Sequence, residues 1–303
     1  MDNTALVVGE ALVDVVRAAD GTVTEHPGGS AANVAVALSR LGRPTRLATS
    51  WAADAYGDLL ARHLADNGVG LAVDPQRLAR TSTALATIDD TGAARYSFDI
   101  AWSVARPADH APLVLHVCSL GAVLPPGADD VRRLARDLRD KATVTYDVNL
   151  RPDVTGTGSA VRSRVEGLVA LADVVKASDE DLASLFPLRS PPESAAALLA
   201  LGPAAVVLTR GAHGATCFAH SGQVQVPAAG VSVVDTIGAG DTFDAGIIDA
   251  LWSRGLLGAA HRTELRSLGG EAWQEVLSHA TAAAAVTVAR PGADPPYRHE
   301  LRS

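Results

Sequence analysis

The sequence predicts an α/β fold: a mostly parallel central sheet with helices on both faces, plus a small β-sheet beside it. Three observations lead there. From Leu113 to Thr209 short aliphatic runs alternate with amphipathic stretches, the signature of strand–helix units whose crossovers make neighbouring strands parallel. The opening run Ala5-Leu6-Val7-Val8-Gly9 is apolar throughout, as a strand covered on both faces must be. Two segments, about 12–27 and 82–103, instead carry strand-like runs around turn residues and no helical period, so they form the separate small sheet. One domain over 1–303, with those segments as its appendage, is the expected organisation.

Taken in order, Val13–Arg17 and Thr22–His26 read as strands around the Ala19-Asp20-Gly21 turn. Val34, Ala37, Leu38 and Leu41 then share one helix face, and Gly42 stops that helix. Thr45–Thr49 is strand-like, and a helix over Ala55–Leu64 ends at Asn67-Gly68. Thr83–Ile88 and Ala93–Asp99 flank Asp89-Asp90-Thr91-Gly92, a hairpin signal. Beyond it the pattern predicts strands at 113–118, 142–147, 173–176 and 204–209, and helices at 128–140, 160–171 and 179–186. Trp102 is placed either against the small sheet or against a substrate. The stretches 152–159, 187–193 and 256–270 read as loops, and Glu271–Ala289 as a long Ala-rich helix stopped by Arg290-Pro291-Gly292-Ala293.

Composition excludes several function classes. A chain of 303 residues with four Trp, four Tyr and four Phe builds its core from aliphatic packing. A net charge of −8 argues against a nucleic-acid or anionic-membrane surface, though a few local cations can still hold a nucleotide. Cys118 and Cys217 lie in apolar runs without metal-ligand spacing, as free thiols of a reducing compartment do. The N-terminus has no signal-peptide pattern, and the apolar stretch Ala280–Ala289 is too short to span a bilayer. A cytoplasmic protein is expected. Neither Gly-x-Gly-x-x-Gly nor a Walker A sequence is present, which opposes a nicotinamide dehydrogenase and a P-loop enzyme.

The chemistry concentrates in Val233–Ile248. Gly238-Ala239-Gly240 runs straight into a helix whose stripe is Phe243, Ile247, Ile248, Leu251 and Trp252. Free N–H groups and the helix dipole converge at such a start and favour an anion. Asp241 repels an anion there unless its task is to take a proton. A hydroxyl losing its proton to Asp241, while a phosphoryl group sits on the neighbouring amides, is phosphoryl transfer.

The run Asp235-Thr236-Ile237-Gly238-Ala239-Gly240-Asp241 resembles the C-terminal motif of the PfkB/ribokinase family of carbohydrate kinases, Asp-Thr-Thr/Val-Gly-Ala-Gly-Asp. The stretch Gly28-Gly29-Ser30-Ala31-Ala32-Asn33-Val34-Ala35, with Leu41-Gly42 beyond, resembles the N-terminal motif of the same family. The resemblance covers essentially the whole chain and implies a ribokinase-like fold in which the small sheet is a lid over a sugar. It implies Asp241 as base, with Gly238, Ala239 and Gly240 as the anion hole. Asp14, Gly28, Gly29, Asn33, Asn149 and Arg151 would bind the sugar. Lys176, Ser178, Thr209, Gly211, Gly240, Gly292 and Ala293 would bind ATP. Mg2+ would be held through water by Asp181 or Glu180, and K+ by Asp235 and Ile237.

Two departures from the family pattern stand out. Ser50-Trp51-Ala52-Ala53-Asp54 lacks the leading glycines of Gly-x-x-Gly-x-Asp, and Ser178-Asp179-Glu180-Asp181 replaces Asn-x-x-Glu. Gly9-Glu10-Ala11-Leu12-Val13-Asp14 and Asp147-Val148-Asn149-Leu150-Arg151 look most like fructokinases, with 2-keto-3-deoxygluconate kinase and ribokinase as alternatives. A sugar-binding protein without catalysis is the alternative from another class, opposed by the retained Asp241 and its glycines. An open lid face implies a homodimer through the lid.

Overall fold

The computed structural model describes residues 2–88, 94–107 and 111–301. Its strands, in chain order, are β1 (Asp2–Val8), β2 (Leu12–Arg17), β3 (Val23–Gly28), β4 (Thr45–Ala48), β5 (Gly70–Leu71), β6 (Thr83–Ile88) and β7 (Ala94–Asp99). They continue with β8 (Pro112–Cys118), β9 (Thr143–Asp147), β10 (Val174–Ser178), β11 (Ala205–Thr209), β12 (Ala215–Ala219) and β13 (Gly222–Val226). The main sheet has nine strands in the order β13-β12-β11-β10-β9-β8-β1-β4-β5. Every pair in it is parallel except β11–β12 and β12–β13.

Alternation along β1 decides where its side chains go. Ala5 and Val7 feed one apolar layer, Leu6 and Val8 the other. Helices Ser30–Arg40, Ala239–Ser253 and Gly270–Val288 cover the first face. Helices Gly127–Leu138, Ser159–Val169, Asp179–Leu185 and Pro191–Leu199 cover the second. Among the described residues no helix is long and apolar enough to cross a membrane.

The small sheet has the order β3-β2-β6-β7. Two antiparallel pairs, β2–β3 and β6–β7, are joined by the parallel pair β2–β6. The expected turn Asp89–Gly92 and the first residue of the expected strand, Ala93, lie outside the described residues. Val13 and Val15 sit in the core with Tyr56 and Leu59 of the helix Ala55–Asp66, so that helix covers one face. Asp14, His26, Ala84 and Phe98 form a cross-strand row on the other face, and Tyr96 lies one row on. Tyr96 and Phe98 are exposed and stacked.

Several expectations change. The stretch 187–193 is not all loop: Pro191 opens a helix capped by Ser190 and Glu193, because proline suits a first helical turn where its missing N–H is not needed. Short helices also form at Pro152–Thr155 and Arg262–Arg266 inside the other two expected loops. The strand-like run around Cys217 pairs antiparallel and, with β13, ends the parallel sheet. Trp102 is buried in the second apolar layer, where its indole N–H donates to Gly121 O at 3.0 Å. Asp54 compensates for the missing glycines around it by capping its helix through Gly57 N and accepting from Thr81 Oγ1.

The two helices that carry the C-terminal motif and the Ala-rich segment touch at Gly246, where an added Cβ would stand 2.6 Å from Ala280 Cα. Gly246→Ala is therefore expected to destabilise the protein by about 1–3 kcal/mol through overpacking, although alanine is the better helix former by roughly 1 kcal/mol. Urea denaturation of the variant measures which effect wins, and a gain in stability would contradict this packing.

Candidate active site

The site lies where the parallel strands end, the usual place for ligands in such sheets. β1 leads to Glu10, β9 to Asn149 and Arg151, β10 to Ser178, and β11 to Thr209 and Gly211. Two helix starts close over these ends. Gly29 precedes the helix Ser30–Arg40 with φ 98°, and Gly238 precedes the helix Ala239–Ser253 with φ 72°. Neither start has a side-chain cap. Both glycines are required by backbone conformation and by space: a Cβ on Gly29 would meet Glu10 O at 2.6 Å, and one on Gly238 would meet Ala293 Cβ at 2.7 Å.

Asp241 sits in the first turn of its helix, and its carboxylate is buried against the other helix start. Ser30 Oγ donates to Asp241 Oδ1 at 2.5 Å, and Asn33 Nδ2 donates to Oδ2 at 2.8 Å. Asn149 Nδ2 in turn donates to Ser30 Oγ at 2.8 Å, and Arg151 Nη1 to Asn149 Oδ1 at 2.6 Å. The structure thus joins Asp241 directly to Asn33, and to Asn149 and Arg151 through a residue absent from the expected set, Ser30. Its signal was only a hydroxyl in a variable position of the glycine motif.

Asp14 reaches the same region from the small sheet. Burial raises its pKa, while His26 and then Arg151 lower it. A side chain at position 28 would strike its carboxylate, since a Cβ there would be 2.2 Å from Asp14 Oδ2. Glu10, one residue past Gly9, accepts from Gly121 N at 2.8 Å and is buried; desolvation pushes its pKa up to about 7.

On the other side of Asp241 lies a buried ion cluster. Lys176 Nζ is 3.0 Å from Asp147 Oδ2 and 3.3 Å from Asp244 Oδ2. It lies directly beneath Gly240, where an added Cβ would approach Nζ to 3.3 Å. Burial works against the ammonium, but the two carboxylates outweigh it and keep the lysine charged. Asp244 is driven well above the carboxylate range by burial and by the charge of Asp147. Asp244 also escaped the sequence reading; only its place one turn after Asp241 could have marked it.

The expected nucleotide and metal residues divide. Asp235 ties two loops together, accepting Ile237 N at 3.0 Å and Gly292 N at 2.9 Å, and those bonds lower its pKa. Gly211 and Gly292 both have positive φ and open space where a Cβ would point, as cleft walls do. Asp181 instead caps its own helix: Oδ1 accepts Leu150 N at 2.7 Å and Oδ2 accepts Ser178 N at 2.8 Å. Glu180 beside it is exposed. Among the described residues no group of three or more His, Cys, Asp or Glu could hold a metal ion by itself.

Chemically, a buried carboxylate fixed through both oxygens beside an uncapped helix start can take a proton next to a bound anion. Comparisons with known proteins agree with that capacity. The model of the pfkB family carbohydrate kinases matches residues 2–300. A fructokinase of Rhizobium leguminosarum bv. trifolii is 34% identical over 269 residues, 83% of this chain and 81% of that protein. The solved structure of Xylella fastidiosa fructokinase with bound ATP superposes with a TM-score of 0.86 at 27% identity, covering 99% of this chain and 98% of that one. Aminoimidazole riboside kinase from Salmonella enterica, complexed with aminoimidazole riboside and an ATP analogue, superposes at 0.76 with 27% identity, covering 96% and 95%.

Glu10 supplies a pH test of this arrangement. A carboxyl whose pKa rises from 4.5 unfolded to about 7 folded gives its full stabilisation below pH 4.5 and loses it as pH rises through 7. The loss should reach about 3 kcal/mol, from the roughly 1.4 kcal/mol that each pH unit represents. Urea denaturation between pH 5 and 8 should therefore show Glu10→Gln gaining on the parent protein as pH rises. A difference between the two that does not change with pH would contradict the burial of an acid here.

Proposed function

Because the chain belongs to the pfkB family of carbohydrate kinases, phosphotransferases with an alcohol group as acceptor, we propose that it transfers the γ-phosphoryl of ATP to a hydroxyl of D-fructose. The observation that carries this reading is Asp241, buried and held through both oxygens by residues of the glycine motif some 210 positions away. Asp241 takes the hydroxyl proton as the oxygen attacks phosphorus. The amides of Gly238 and Gly240 face the charge that builds on the transferring group, which is where preorganised donors lower a barrier, while Ala239 N donates to Thr236 O at 3.3 Å and holds the turn between them.

The rest of the set binds and orients. Asp14, Gly28, Gly29, Asn33, Asn149 and Arg151 form the sugar side. Lys176, Ser178, Thr209, Gly211, Gly240, Gly292 and Ala293 form the nucleotide side, where Gly211 and Gly292 leave open space. Of the two candidate carboxylates, exposed Glu180 suits a water-bridged Mg2+, because both Asp181 oxygens accept backbone N–H groups. Such an ion would neutralise phosphate charge. Asp235 and Ile237 are the residues that would hold K+.

Fructose is favoured over a sugar acid by the direction of the lid residues. Arg95 pairs through Thr87 with Arg17, on the lid face opposite Asp14, so it is turned away from a carboxylate bound beside Asp14. A coupled assay should give fructose a higher kcat/KM than 2-keto-3-deoxygluconate, ribose, adenosine or aminoimidazole riboside. Preference for the sugar acid or a riboside would replace fructose while leaving the kinase chemistry in place.

The two aspartates have different kinetic fates. Asp241→Asn should lower kcat by roughly 10²–10⁴-fold with little change in sugar KM, since a base acts in the transition state. Asp14→Ala removes hydrogen bonds to a charged group made in both ground and transition states. It should raise sugar KM by roughly 10–150-fold with a smaller loss of kcat. Near-normal turnover by Asp241→Asn would end the proposal.

A further inference from the structure

We infer that Ser30 is a positioning residue for Asp241, the last link of a polarised hydrogen-bond chain that begins at Arg151 and keeps the base aimed. This rests on the reading of Asp241 as the base.

The direction of the chain follows from its two ends. A guanidinium only donates, and Arg151 Nη1 reaches Asn149 Oδ1 at 2.6 Å. The amide of Asn149 is thereby oriented, leaving Nδ2, a donor, to face Ser30 Oγ at 2.8 Å. With that lone pair engaged, the single hydroxyl proton of Ser30 points to Asp241 Oδ1, 2.5 Å away. Asn149 has φ 35°, a left-handed backbone that asparagine tolerates better than most residues, and is the one residue between Arg151 and Ser30 in this chain. Ser30 is itself buried, so water does not compete for its hydroxyl.

Ser30 does not act as a proton shuttle. Its oxygen accepts from an amide N–H, which is no acid at neutral pH and offers no acceptor for a proton leaving Asp241. Its effect is on the charge and aim of the carboxylate. A donor to a carboxylate favours the ionised form, and donors in series polarise one another. Other groups act on the same charge: Glu10 after β1, Cys118 at the end of β8 and Asp244 one turn along the helix are close enough to interact with it. Lys176 lies beneath Gly240. Ser30 and Asn33, by contrast, donate directly to its oxygens.

The test is Ser30→Ala, which removes one oxygen from a buried site, with folding checked by circular dichroism. At saturating fructose and ATP, kcat should fall about tenfold, the loss expected for a bond to a charged group. Both KM values should stay within about twofold. The acid limb of kcat/KM against pH should move up by about one unit, because the carboxylate loses a donor. Asn149→Asp offers Ser30 an acceptor in place of a donor and should move the same limb in the same direction, while Ser30→Thr should return it. An unmoved acid limb in both Ser30→Ala and Asn149→Asp, or a loss carried wholly by KM, overturns the inference. Asp241→Asn, assayed alongside, separates the failures. If it retains turnover the base reading itself falls; if it is inactive while Ser30→Ala is normal, only the role of Ser30 falls.

Discussion

Two helices from opposite ends of the chain begin at one carboxylate, and most of the site is arranged by that meeting. The helices Ser30–Arg40 and Ala239–Ser253 both start behind a glycine of positive φ, and no side chain caps either start. Their free N–H groups and dipoles make a region that favours negative charge. Asp241 occupies it, and among the described residues its oxygens have no arginine or lysine partner; Ser30 and Asn33 supply neutral donors instead. A base needs this compromise. A direct cation would hold the carboxylate ionised but poorly disposed to accept a proton, whereas burial without donors would neutralise it.

Buried charge elsewhere in the same helix is handled in two contrasting ways. Asp249 lies two turns beyond Asp241 and meets Arg43 Nε at 2.6 Å, His279 Nε2 at 2.7 Å, and Arg298. Burial opposes its ionisation, but those bonds outweigh it and hold the carboxyl at about 2. It ties the helix to the Gly270–Val288 helix and to the C-terminal segment, a structural task. Asp244 shares a single ammonium with Asp147, and burial with that neighbouring charge raises its pKa well above the carboxylate range. The ammonium beneath Gly240 is thus paired within the interior.

The small sheet depends on the same economy of faces. One face is covered by the helix Ala55–Asp66, and Tyr56 OH donates to Glu25 Oε1 at 2.8 Å across that contact. The covered face holds Val13 and Val15, which leaves Asp14 between them on the open side, toward Gly28. Strand alternation therefore places both Asp14 and the exposed pair Tyr96 and Phe98 on the same surface.

By itself the sequence determined the fold class, the order of most strands and of the longer helices, and the two glycine motifs with Asp241 behind one of them. These are local properties: apolar period, positive-φ glycines and helix starts are written within a few residues of where they act. Tertiary structure alone decided what lies between distant segments. Nothing near Ser30 announces a partner 211 positions on, and nothing near Asp244 announces Lys176. Asp181 and Glu180 are adjacent in sequence and equal in charge, yet one turns in to accept two backbone N–H groups and the other faces out. The proline at 191 reads as a breaker until Ser190 and Glu193 close a cap around it. Pairing of strands, sharing of protons and direction of hydrogen bonds depend on distances through space, and those exist only once the chain has folded.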